Sequence, residues 1–278
     1  MDTLTTLAII VAAWFVFYAV IKLFKVERDD LEVSPIYALY KSTRLNSFIA
    51  RLAAWHPMMW RTLGNAGVAA SVGFAAFATW LLLNNLIKFI FTPKQASPVQ
   101  LLIPGVTISA SSLPWFMLAA GIVILTHELS HGIQCVLEGI KVKSAAILVA
   151  VITFGGAIEP DEEELTKAPS ISKLRVFAAG SIVNMLTAIL TILIMHTFYG
   201  VMPEFLRLFF NWLYFVSFSL AIMNMLPIGP LDGGQMFRTL TETRPMGKQL
   251  QKAATYVFIA LIAGNIILSM SMFGLIPL

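Results

Sequence analysis

Six stretches of this chain are apolar for about the length that crosses a bilayer: Leu4–Phe24, Ala66–Phe91, Trp115–Leu137, Leu174–Tyr199, Leu206–Leu226 and Ala254–Leu275. A helix of roughly 20 apolar residues spans about 30 Å of hydrocarbon. Inside hydrocarbon only helices and closed barrels satisfy every backbone N–H and C=O. These runs therefore predict an all-α polytopic membrane protein with about six transmembrane helices. Composition agrees: 12% of residues are charged, against roughly 25% in a soluble domain. The net charge of +4 does not point to nucleic acid, because the basic residues lie between the apolar runs, as a membrane protein requires. The lone Cys135 excludes an internal disulfide framework. The start of the chain at Met1 has neither a basic leader nor a small-residue cleavage site, so the first run is expected to be a retained span.

The connecting segments add three expectations. Lys25 to Arg61 interleaves Lys41, Arg44, Arg51 and Arg61 with Tyr37, Phe48, Leu52 and Trp60, which suits an interfacial amphipathic helix anchored by its aromatics. The loop from Thr92 to Pro114 is broken by Pro93, Pro98, Pro104 and Pro114, and Ser109–Leu113 caps the third span. Lys141 to Ala157 is β-branched, contains the pair Gly155 and Gly156, and is too short for a span; it predicts a β segment at the membrane edge. Non-helical backbone there has to be covered by protein or by a wet cavity. The acidic run Glu159–Glu164 is expected to be a solvated loop, and Arg238 to Lys252 an amphipathic basic stretch. No repeat or soluble domain interrupts the chain, which reads as one membrane-embedded domain over 1–278.

With the N-terminus outside, the outer loops hold Lys88, Lys94 and Arg207, and the other sixteen of nineteen basic residues fall on the opposite side. That bias makes the opposite side cytoplasmic and puts both termini outside.

Ionisable residues inside a hydrocarbon-length run are costly and mark function. The third run contains HELSH: His127, Glu128 and His131. A helix brings positions i and i+4 onto one face, so both imidazoles can address one ion while Glu128 reaches a water beside it. His131 lies six residues before Leu137, about 9 Å inside that edge at 1.5 Å per residue. Two histidines leave a catalytic zinc one protein ligand short. Asp232 is the first candidate, since Pro227, Pro230 and the glycines around it break the helix and let its side chain turn toward a neighbour. Glu138 and Cys135 share roughly the face of His131, and Glu159 can reach back from its loop. His56, beside Pro57 in the interfacial segment, and His196, near the outer end of the fourth span, are left out of the site.

HELSH together with NMLPIGPLDG, from Asn224 to Gly233, resembles the site-2 protease family of intramembrane zinc metalloproteases. The stretch VFAAGSIVN, from Val176 to Asn184, resembles that family's Gly-containing stretch ending in Asn, with Ser181 where Pro is usual. The run beginning at Glu159 resembles archaeal members. The likeness covers Gly121 to Gly234, within a catalytic core of about 115–234. It implies His127, His131 and Asp232 as ligands of one zinc ion per chain and Glu128 as the catalytic base. It also implies Asn184 and Asn224 as polar groups that hold the substrate backbone or the developing oxyanion. Many members carry a PDZ domain between the spans equivalent to the fourth and fifth; the turn from Gly200 to Glu204 is too short for one.

The implied reaction is hydrolysis of a peptide bond within or near a transmembrane segment of a membrane-anchored protein, releasing a fragment to the cytoplasm. The partners implied are that substrate and the lipid bilayer. An unwound substrate is expected to pair as a strand along 143–157. The alternative is a membrane transporter that uses the buried His, Glu and Asp for a metal ion or proton. Such a protein is expected to show repeated halves and polar residues along several spans. A catalytically dead scaffold would have lost Glu128. A prenyl-protein endopeptidase would need a Glu ligand and has no reason for the run ending in Asp232.

Overall fold

Apolar helices are the material of this protein, and proline sets where they begin and stop. The structure is a computed structural model that describes residues 3–24, 28, 30–99, 102–103, 107–150 and 153–274. Met1, Lys25 at the head of the interfacial segment, Pro104, and the last-span residue Leu275 lie outside the described residues. Five described helices are long and apolar enough to cross a membrane: α3 (Pro57–Phe91), α4 (Leu113–Leu137), α6 (Ser170–Phe198), α7 (Glu204–Met223) and α9 (Gly247–Phe273). The sixth expected crossing corresponds to α1 (Thr3–Leu23), whose apolar part over Val11–Leu23 is shorter.

The second span is longer than expected. It begins at Pro57 rather than Ala66, with proline in the first turn, where a missing N–H costs nothing. At 35 residues α3 is about 52 Å long, so its first turns, which carry Arg61, extend beyond the hydrocarbon.

The interfacial segment departs from an all-helical reading. It forms two strands, β1 (Leu31–Val33) and β2 (Tyr37–Ser42), before the helix α2 (Arg44–Trp55). The reason is a partner distant in sequence. The membrane-edge β segment folds as a hairpin, β3 (Val142–Ala150) and β4 (Thr153–Pro160), and β2 pairs antiparallel with β3 from Tyr37 opposite Ala150 to Ser42 opposite Ala145. The result is a four-stranded antiparallel sheet in the order β1-β2-β3-β4, with β4 at one edge. In the α2 region helical periodicity does hold. Ile49 and Ala53 are buried one turn apart and pack with Ile133 of α4.

The acidic run is not a bare loop. It forms the short helix α5 (Glu162–Lys167), capped by Asp161, whose side chain accepts from the N–H groups of Glu163 and Glu164. The bond from Glu164 holds the Asp161 carboxyl below its ordinary range. The predicted basic stretch splits into α8 (Asp232–Thr241), a turn, and the start of α9.

At the centre stands α6, packed against α3, α4, α7 and α8. Between membrane helices close approach has to come from small side chains, because lipid tails are as apolar as leucine. Gly67 of α3 supplies one such point, since a Cβ there meets the Ala178 carbonyl oxygen of α6 at 3.1 Å. A Cβ added at Gly73 of the same helix meets nothing within 4 Å. Gly67→Leu is therefore expected to destabilise the protein in detergent by about 1–3 kcal/mol through overpacking. Gly73→Ala should leave stability unchanged or raise it by about 0.5–1 kcal/mol. Reversible unfolding of both variants beside the parent checks the pair, and equal effects would remove the α3–α6 contact as the cause.

Candidate metal centre

His127 and His131 lie on successive turns of α4 and are 7% and 8% exposed. Their rings meet edge to face with centroids 4.7 Å apart. The Nε2 atoms of both stand 3.2 Å from the same oxygen, Oδ2 of Asp232. Among the described residues these three form the group of His, Cys, Asp and Glu side chains close enough to share a metal. Ligand atoms held at about 2.0 Å on a tetrahedral zinc lie about 3.3 Å from one another. The observed separations therefore fit two nitrogens and an oxygen around one ion.

The loop before Asp232 explains how a carboxylate reaches the histidines. α7 ends at Asn224, and residues 225–231, with Pro227 and Pro230, fold back instead of continuing it. The Gly233 N–H returns to the Asn224 carbonyl at 2.8 Å. A Cβ at Gly233 would strike the backbone of Met225, and one at Gly234 the backbone of Ile228. Asp232 is consequently not on the fifth span but on the first turn of α8, where unpaired N–H groups favour a negative charge.

α6 supports the site from behind with positions one and two turns apart. The Val176 carbonyl lies 2.7 Å from His131 Nδ1. Gly180 faces the His127 ring so closely that any Cβ would overlap it. Asn184, 0% exposed, places its side-chain amide 2.9 Å from His127 Nδ1. It therefore touches the ring nitrogen opposite the one that faces Asp232. Asn224 stands on the other side: its amide nitrogen donates to Asp232 Oδ2 at 2.6 Å and lies 3.2 Å from His127 Nε2.

Glu128 is held by the sheet. The Ile158 N–H of β4 donates to Glu128 Oε2 at 2.9 Å, and a Cβ on Gly156 would press on Glu128 Cγ at 3.1 Å. A cavity of about 1040 Å³ opens beside this helix between α1, the sheet, α4 and α7. Trp14, Tyr40, Ile124, Ile147 and Met223 help to line it, so it runs from one turn before Glu128 to the residue before Asn224.

The other candidate ligands are engaged elsewhere. Cys135 is buried with Ile140, Val142 and Val176. Glu138 pairs with Arg175 at 3.1 Å and accepts from Ser172. Glu159 accepts from Ser144 at 2.7 Å, which holds its carboxyl below the ordinary range. His56 lies against Trp55 at the exposed start of α3, with the two rings tilted by 48°. Sequence reasoning missed the Val176 carbonyl, the Ile158 N–H and Gly156, two of which are backbone groups that any residue could supply. The steric role of Gly180 has a sequence trace in its spacing, midway between Val176 and Asn184. Gly180→Ala is expected to displace the His127 ring and to weaken zinc binding by about 10–100-fold, so that less zinc co-purifies with the variant. Wild-type zinc content in that variant would show that the ring tolerates the methyl group.

Comparison with known proteins points the same way. The profile of Peptidase family M50 matches residues 115–206 and 202–264, more than half of the chain. The chain is 28% identical over 158 residues to a membrane-bound transcription factor site-2 protease homolog of Arabidopsis thaliana, covering 55% of this chain and 30% of that one. It is 26% identical over 180 residues to a zinc metalloprotease of Methanocaldococcus jannaschii, covering 63% of this chain and 47% of that one. The matched stretches thus span about a third to a half of those relatives. With both halves of the metal cluster inside the matched segments, this multi-pass membrane protein belongs to Peptidase family M50.

Proposed function

We propose that this chain is an intramembrane zinc metalloprotease that hydrolyses a peptide bond within or near a transmembrane segment of a membrane-anchored protein. The observation that carries this reading is the convergence of His127 Nε2, His131 Nε2 and Asp232 Oδ2 at the end of a membrane-spanning helix, with Glu128 on the same turn. A zinc ion held by these three residues supplies Lewis acidity to a water and to the scissile carbonyl. Glu128 does the proton work. The Ile158 N–H holds Oε2, which leaves Oε1 to take the water's proton and pass it to the departing amine. Asn224 would donate to the charge developing on the carbonyl oxygen, a role supported by its amide nitrogen already being a donor at the edge of the cluster.

The substrate route follows from the two surfaces beside Glu128. The apolar cavity between α1, α4 and α7 suits a helix arriving from the bilayer. A helical peptide hides its amides in its own hydrogen bonds, so it has to unwind before attack. The edge strand β4 offers backbone groups for that unwound segment. Ile158 turns its N–H outward toward Glu128, and by strand alternation Gly156 and Phe154 share that outward direction. The excess of basic residues around the α4 end of the protein supports a site near the cytoplasmic side, with both termini outside and the fragment released to the cytoplasm.

Purified protein incubated with a transmembrane-segment substrate tests this. Cleavage is expected to stop with chelator and return with zinc. Glu128→Gln should keep its zinc and lose about 10²–10⁴-fold in rate. Equal cleavage by this variant and the parent would remove Glu128 from its role. For the strand edge, Phe154→Pro is expected to lower cleavage by about tenfold, the loss of one or two backbone bonds, at unchanged zinc content. Unchanged cleavage would count against substrate pairing along β4.

A further inference from the structure

We infer that Asn184 is a positioning residue rather than a substrate contact: its side-chain carbonyl accepts the Nδ1–H of His127 and so fixes the tautomer that leaves Nε2 free to bind metal. This rests on the metalloprotease reading above.

At His131 the chemistry is unambiguous. Its Nδ1 faces the Val176 carbonyl at 2.7 Å, and a carbonyl can only accept. Nδ1 of His131 therefore carries a proton, which leaves Nε2, 3.2 Å from Asp232 Oδ2, as the nitrogen that can offer a lone pair to a metal. Metal-binding histidines are usually held by such a bond at the other ring nitrogen.

His127 needs the same arrangement, and its Nδ1 neighbour is the side-chain amide of Asn184, drawn with Nδ2 2.9 Å away. With the amide nitrogen toward the ring, Nδ1 has to accept, the ring proton moves to Nε2, and the lone pair is lost where His127 meets Asp232. With the carbonyl oxygen toward the ring, Nδ1–H donates and Nε2 is free. The two ends of an amide have the same shape, so the ring's chemistry assigns which one faces it. Turning the amide exchanges a buried oxygen without a partner for a buried amino group, so the satisfaction of Asn184 itself does not decide. The requirement for a ligating lone pair does.

The place of Asn184 in the fold agrees. It is 0% exposed and lies at the ring nitrogen away from Asp232, so His127 separates it from any bound peptide. Its helix reaches both ligands. His127 and His131 are four residues apart on α4, and their α6 partners, Asn184 and Val176, are eight apart with Gly180 between them. One helix thereby orients both rings.

The test compares wild type, Asn184→Asp and Asn184→Leu as full-length protein in detergent. Zinc affinity is read by competition with a chromophoric chelator, and cleavage is measured alongside. Asp can accept but not donate; Leu can do neither. Asn184→Leu is expected to bind zinc about 10–100-fold more weakly, and Asn184→Asp to stay within about threefold of wild type, since it keeps the acceptor. Cleavage by zinc-loaded Asn184→Asp should remain within about tenfold of the parent, because no donor is used. Wild-type zinc affinity in Asn184→Leu would overturn the assignment. So would zinc-loaded Asn184→Asp that no longer cleaves, which is the signature of a donor to substrate. If Asn184→Leu fails to fold, Asn184→Asp decides alone: retained affinity supports the acceptor role, and a loss of tenfold or more overturns it. Failure of the wild type to take up zinc would instead sink the metal reading itself.

Discussion

Two imidazoles on one helix can serve one ion only if each ring turns a nitrogen with an available lone pair toward it, and a ring in a membrane interior cannot rely on water to hold its other nitrogen. Everything around the site answers that constraint. α6 presents a carbonyl, a missing side chain and an amide at three successive turns, matched to His131 and His127 across the helix pair. Because α6 also packs against α3, α7 and α8, the helix that orients the rings is itself held from several sides. The cost of burying the two imidazoles in hydrocarbon is met by partners on an adjacent helix, the Val176 carbonyl and the Asn184 side chain.

The third ligand is positioned by a different device. A carboxylate on a continuous fifth span would have to leave from a straight helix. Here the chain stops at Asn224, doubles back through two prolines, and restarts at Asp232 with glycines pressed against the loop backbone. The same turn brings Asn224 beside Asp232, so ligand and amide arrive together. Irregular backbone at this depth is tolerable because protein covers it: Met225 and Leu226 are buried, and Gly233 closes the turn onto the Asn224 carbonyl.

The sheet gives Glu128 its place. Ile158 donates to Glu128, and behind β4 stands β3, with β2 on its far side. The strands that hold Glu128 therefore include residues from Tyr37–Ser42, about a hundred positions away in the chain. A perturbation of that early hairpin has a direct structural path to α4. α2 adds a second path, since a side chain at Gly132, next to His131, would press on Ile49.

The sequence by itself determined the helical membrane class, the ligand pair on α4, Asp232 and the β character near 141–157. These depend on local rules: an apolar run long enough to cross hydrocarbon, an i, i+4 spacing, prolines and glycines that stop a helix, and β-branched residues that resist one. Tertiary structure alone decided that β1 and β2 are strands rather than part of an interfacial helix, because the partner edge belongs to β3. It also decided which nitrogen of each ring faces the cluster. The groups responsible, a carbonyl at Val176, an N–H at Ile158 and an amide at Asn184, act by where the fold carries them. A backbone carbonyl or N–H leaves no letter in a sequence, and an Asn reads alike whether it faces a substrate or the back of a histidine.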